Sequence, residues 1–175
     1  MFKFTLKLMN KSICIVLVLI VTHLAGSAFA QTNITPGASE GNVLRLQMSP
    51  YTRHFTQDNK HQNVLMVGVE REYSNAKLDG ITLFKNSFGQ TSAYIYPWGG
   101  VYHSIGGIKH LSFKWTAGLL YGYKEPYENK VPYNYKGFSP GLIPALAYEF
   151  MPGWSGQLSF LGTAGLMFQL NAPLN

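Results

Sequence analysis

Few residues of this chain could do acid–base or nucleophilic chemistry, and four histidines head them: His54, His61, His103 and His110. A histidine titrates near neutrality, so it can accept or give up a proton at physiological pH. Ser87 directly follows Asn86, and the acids Glu70 and Glu72 stand between that pair and His54. His61, His103 and His110 lack the spacing of a metal site, and the single cysteine, Cys14, lies in the N-terminal apolar run. No metal, no other cofactor and no thiolate chemistry is therefore expected. Each candidate also has a plain alternative. A histidine at a sheet edge is often just an interfacial polar group, and Asn-Ser after a strand is an ordinary turn.

The first thirty residues are not expected to carry these groups. Lys3, Lys7 and Lys11 form a positive segment with no acid, an apolar run follows from Ile13 to Val21, and Ala28 and Ala30 are small. That order predicts a signal peptide, residues 1–30, cleaved after Ala30. The apolar run is too short for a membrane helix, which needs about 20 residues. Cys14 inside the run has no small-residue cleavage site before it, which argues against a lipoprotein. Residues 31–42 are polar and hold Pro36 and Gly37, as expected of a flexible mature N-terminus, leaving 43–175 as one domain.

The formal net charge of +6 is partly the leader's. Without its three lysines, eleven bases face eight acids, and no basic cluster remains to suggest nucleic acid. All three tryptophans and all eleven tyrosines fall after residue 30, glycine is abundant and charge is sparse. No later apolar stretch is long enough for a membrane helix. Such a composition points to a transmembrane β-barrel, apolar outside and aromatic at its rims.

The pattern along the chain alternates strand and turn. Leu44, Leu46 and Met48 oppose Arg45 and Gln47, and Tyr51 to Thr56 extends this strand past Pro50. Asp58-Asn59-Lys60 reads as a turn. Further strands are expected over 64–73, 81–86, 91–98, 101–105, 111–123 and 142–150, with a hairpin in 154–170 turning near Gly162. Gly118 and Gly122 read as bend points, and Glu125 to Gly137 as an extracellular loop. About eight strands and no convincing helix imply an all-β fold, an eight-stranded antiparallel outer-membrane barrel. A soluble β-sandwich would instead need polar outward strand faces.

Four ordered blocks resemble the PagP family of outer-membrane enzymes, which move a palmitoyl chain from a phospholipid to lipid A. They are Tyr51-Thr52-Arg53-His54-Phe55 with Asn63 downstream; Leu83-Phe84-Lys85-Asn86-Ser87-Phe88; Trp115-Thr116-Ala117-Gly118; and the stretch from Ser139 to Tyr148 with Pro140 and Pro144. The run from Asn86 to Tyr94, N-S-x-x-x-x-S-x-Y, is similar to a broader PagP-like group. The chain departs from the family in having Asn86 where the family has aspartate. It also has no room in residues 31–42 for the amphipathic helix that precedes the family's barrel, and no terminal aromatic.

The resemblance implies a monomeric barrel in the outer membrane of a Gram-negative bacterium, with phospholipid and lipid A as partners and no nucleic acid. It implies His54 as the base, Ser87 as a hydrogen-bonding or oxyanion group, and Asn86 in the place of the orienting carboxylate, for which Glu70 or Glu72 could substitute. Pro140 and Pro144 would break the ladder of one strand and let lipid enter sideways, because proline has no N–H to donate. Tyr102-His103-Ser104 is a poor match to the His-x-Ser of a lipid A deacylase, since the serine is adjacent and no matching acid follows. Two functions stay open: a lipid A acyltransferase, or a barrel without catalysis that serves envelope integrity, adhesion or ligand binding.

Overall fold

A computed structural model describes residues 41–56 and 61–174. The expected signal peptide, the tail up to residue 40 and the turn Asp58-Asn59-Lys60 lie outside these residues. Eight strands, each hydrogen-bonded antiparallel to the next, close into a barrel. They are β1 Val43–His54, β2 Met66–Glu72, β3 Leu78–Lys85, β4 Thr91–His103, β5 Leu111–Tyr121, β6 Phe138–Met151, β7 Trp154–Phe160 and β8 Gly165–Pro173. Closure comes from β1 on β8, from Arg45 opposite Pro173 to His54 opposite Gly165. Closing the sheet removes the free edges that an open sheet would expose.

The alternation read from β1 holds, and it runs inside out. Gln47, Ser49 and Thr52 point inward and are buried, whereas Leu46 and Met48 point outward. Leu65 and Leu142 are 65% and 69% exposed, while Glu70 is 1% exposed inside. Val67, Ile81, Leu83, Ile95, Trp98 and Phe168 extend the apolar outer face around the barrel. A soluble sandwich would have the reverse polarity.

The strands expected over 91–98 and 101–105 are one, β4, which ends at His103, and Ile105 belongs to a short 3-10 turn, Ile105–Gly107. A bulge between Ile95 and Trp98 absorbs Pro97, so pairing with β5 resumes from Trp98 opposite Ala117 to His103 opposite Ser112. Gly118 is not a bend. It pairs regularly with Gly141, and a Cβ there would run into the Ile95 carbonyl at the bulge. Its role is close backbone approach.

Connections 73–77, 104–110 and 152–153 lie at the end where β1 starts and β8 finishes. Connections 55–65, 86–90, 122–137 and 161–164 lie at the other, here called the loop end. Two seams open there among the described residues. β6 pairs with β5 along its length, but with β7 only from Ala145 opposite Ser159 downward, leaving Phe138–Pro144 unpaired on that side. Likewise, β1 pairs with β2 only up to Ser49 opposite Met66, so Pro50–His54 is held by β8 alone. Pro140 and Pro144 stand in the first unpaired stretch and Pro50 in the second.

Candidate functional site

His54, Asn86 and Ser87 all reach the loop end, carried by the last residue of β1 and by the β3–β4 turn. Asn86 is fully buried, and its side chain is spent on that turn. Its Oδ1 accepts the N–H groups of Phe88 and Gln90, both at 3.0 Å, and its Nδ2 donates to Gln90 Oε1 at 3.4 Å. The backbone bonds Asn86 N to Gln90 O at 2.9 Å and Gly89 N to Asn86 O at 2.8 Å close the loop, with Gly89 at φ +79°. This side-chain mimic of a turn is what asparagine does well. Among the described residues no hydrogen bond joins Asn86 to His54.

Gln90 then ties this turn to the long connection. Lys124 N donates to Gln90 Oε1 at 3.0 Å, and Gln90 Nε2 donates to the carbonyls of Lys124 and Glu125 at 3.2 and 3.3 Å. Asn134 reinforces the connection by donating to Tyr123 O at 2.7 Å and accepting from Gly137 N at 2.9 Å. An aromatic pile fills the space beside it. Phe88 stacks on Tyr127 at 4.2 Å and meets the edge of His61 at 5.2 Å. Ser87 is buried beside the Tyr123 phenol, whose ionisation burial pushes up. The phenol is therefore neutral at physiological pH and available as a donor.

His54 sits beside the β7–β8 turn, where the next residue, Phe55, donates its N–H to Ala164 O at 3.1 Å. The His54 ring lies 4.4 Å from that of His61, centroid to centroid. His61 is held by its neighbour, since Gln62 N donates to Ser87 O at 2.8 Å. Neither expected substitute acid is near. Glu70 lies mid-barrel against Lys114 and Tyr96, and Glu72 lies at the opposite mouth, bonded to Arg45 at 2.6 Å and to His103 Nε2 at 2.8 Å. His103 Nδ1 in turn meets Ser112 Oγ at 3.0 Å, so these four side chains link β1, β2, β4 and β5 at that mouth.

Beneath His54, His61 and Ser87 a cavity of about 500 Å³ runs into the barrel. That volume lies in the ~300–1,000 Å³ range of small-molecule sites. Val64, Met66, Phe84, Leu161 and Met167 make an apolar wall, joined by Leu120 and Ile143 across the barrel. The floor is polar and closed. Lys114 is paired with Glu70 and donates to Gln157 Oε1 at 3.0 Å, while Tyr96 donates to Gln47 Oε1 at 3.1 Å and to Glu70 Oε2 at 3.4 Å. Pro140 and the backbone around it border the cavity at the β6–β7 seam.

Sequence reasoning assigned His54, Asn86 and Ser87 to the site, named His61 but set it aside for want of metal-ligand spacing, and gave no role to Thr52, Tyr123 or Tyr127. Thr52 was within reach, since it sits two residues before His54 and shares its face. The closeness of His61 to His54 was not, because only the fold brings the two rings together.

Asn86→Ala is expected to cost about 1–3 kcal/mol, because it strands the buried N–H groups of the turn. Asn86→Asp keeps both acceptor bonds and is expected to be nearly neutral in stability. It should also add no activity, since the carboxylate would stay in the turn. Urea titration of the folded barrel checks the first statement, and an assay of the activity proposed below, on the same samples, checks the second.

Fold and site together define a closed eight-stranded antiparallel barrel with one mouth open to a largely apolar cavity. The chain matches no protein-family model and no curated protein.

Proposed function

We propose that the chain is an outer-membrane barrel that takes an acyl chain into its cavity and transfers it from a phospholipid to lipid A. The observation that carries this reading is the cavity itself, apolar-walled and closed below, with His54 and Ser87 at its mouth. Export by the N-terminal leader and an orientation with the loop end outward belong to the same proposal. The apolar outer face supports placement in a bilayer, where a closed barrel pairs its strands with one another; among the described residues the ladders are interrupted at the two proline-bearing seams and at bulges in β1, β4 and β6. Those seams lie where an acyl chain would have to pass from the outer leaflet to the cavity.

In the reaction, His54 takes the proton of an acceptor hydroxyl, and that oxygen attacks the ester carbonyl of the phospholipid. The bond to the glycerol oxygen then breaks, and this oxygen recovers the proton from His54. Ser87, backed by Tyr123, is placed to donate to the charged oxygen of the intermediate. Mass spectrometry of lipid A from cells with and without the protein tests the reading. An added acyl chain supports it, and identical lipid A under conditions of expression overturns it.

The commitment of Asn86 to its turn favours a second reading, a lipid-binding barrel without turnover. Unchanged lipid A with co-purifying fatty acyl lipid would select it. Both readings require the bilayer. Ile81→Arg, on the outward face, is then expected to cost about 2–4 kcal/mol in vesicle-folded protein if it lies near the midplane. The same change in detergent micelles, which deform around the charge, should cost less.

A further inference from the structure

Four buried side-chain polar atoms lack a hydrogen-bond partner among the described residues, and three of them line one side of the cavity mouth. They are Thr52 Oγ1, His54 Nε2 and His61 Nδ1; the fourth, Asn171 Oδ1, is elsewhere. Buried polar atoms are nearly always paired, so three orphans in one place mark where a polar ligand is received. Two of them are imidazole nitrogens on rings whose centroids are 4.4 Å apart, with planes 40° apart. A metal–imidazole bond is about 2.0–2.1 Å long, so two histidines sharing one ion must be close neighbours.

Both rings are held in place before any ion arrives. His54 is fixed by the β1–β8 ladder and by the bond of the following Phe55 N to Ala164 O, and His61 by the Gln62–Ser87 bond and the edge of Phe88. We propose that His54 and His61 form a binding site for a divalent transition-metal ion of the imidazole-preferring class, Cu²⁺ ahead of Zn²⁺. The Thr52 hydroxyl anchors a water of the ion's shell. No group of three or more His, Cys, Asp or Glu side chains suited to a metal gathers among the described residues, so the ion is exchangeable rather than structural. The expectation of no metal site rested on spacing along the chain. Six residues lie between the two histidines, yet their rings meet at the loop end.

The ion would occupy the nitrogen that His54 needs as a base. Metal binding would then switch acyl transfer off, a consequence that rests on the proposed function, whereas the binding itself does not. The test is calorimetric titration of tag-free, full-length protein in detergent with ZnCl₂ and with CuCl₂. One ion per chain is expected. His54→Ala and His61→Ala should each weaken binding by more than about tenfold, since changes one shell further out already cost 10–100-fold. His110→Ala, at the opposite end, should bind like the wild type. Heat-modifiable migration on gels confirms that each variant is folded. No binding by the wild type, or equal binding by folded His61→Ala, overturns the proposal. Because lipid A acylation is measured separately, failure here leaves the acyl-transfer reading standing, and failure of that reading leaves this one standing.

Discussion

Replacing His54 by alanine is expected to reduce the proposed acyl transfer by about 10²–10⁴-fold, the usual contribution of a positioned general base. The barrel should survive the change. His54 ends β1 at the open mouth, and its ring nitrogen Nε2 has no partner to lose. A drop in lipid A acylation with unchanged heat-modifiable migration therefore separates chemistry from folding. Ser87→Ala should fall less, because Tyr123 remains as a donor at the same mouth. His54→Gln is the sharper variant, since it keeps a side chain of similar size and hydrogen-bonding ability but cannot take up a proton. Should His54→Gln acylate lipid A at the wild-type rate, another group is the base and the mechanism above fails. His61 is the nearest alternative, and His61→Gln in the same assay identifies it.

The period-two alternation of Leu44, Leu46 and Met48 against Arg45 and Gln47 could be read from the chain because each outward position faces one uniform environment. A short local window is enough to reveal it. The split expected between 91–98 and 101–105, at Pro97 and Gly99-Gly100, failed for the opposite reason. Taken alone they end a strand, but the bulge between Ile95 and Trp98 lets β4 continue against β5. Asn86 shows both outcomes in one residue. As a turn former it behaves as local chemistry predicts, and the catalytic part suggested by resemblance would need a side chain that the turn has already used. Contacts across the barrel leave no local trace. Glu70 and Lys114 are 44 residues apart, and either one alone reads as an ordinary charge on a strand.

That pair yields the largest expected effect on stability. Lys114 and Glu70 are 5% and 1% exposed, and the pair is completed by Gln157, Tyr96 and Gln47. Breaking a buried ion pair from one side leaves the other charge without compensation, at a cost of about 3–5 kcal/mol. Glu70→Gln is thus expected to destabilise the vesicle-folded barrel by that amount in urea titration, although shape and hydrogen-bonding groups are kept. Removing both charges, as Glu70→Gln with Lys114→Met, should recover most of the loss, because desolvating the two ions offsets much of their attraction. A cost below about 1 kcal/mol for the single variant would mean that water reaches Lys114. The same comparison bears on the cavity. The network forms its floor, and a lysine left unpaired there would draw in water, wetting the lower end of an apolar well. Glu70→Gln should then hold an acyl chain less tightly than the double variant, even though His54 and the mouth are unchanged in both.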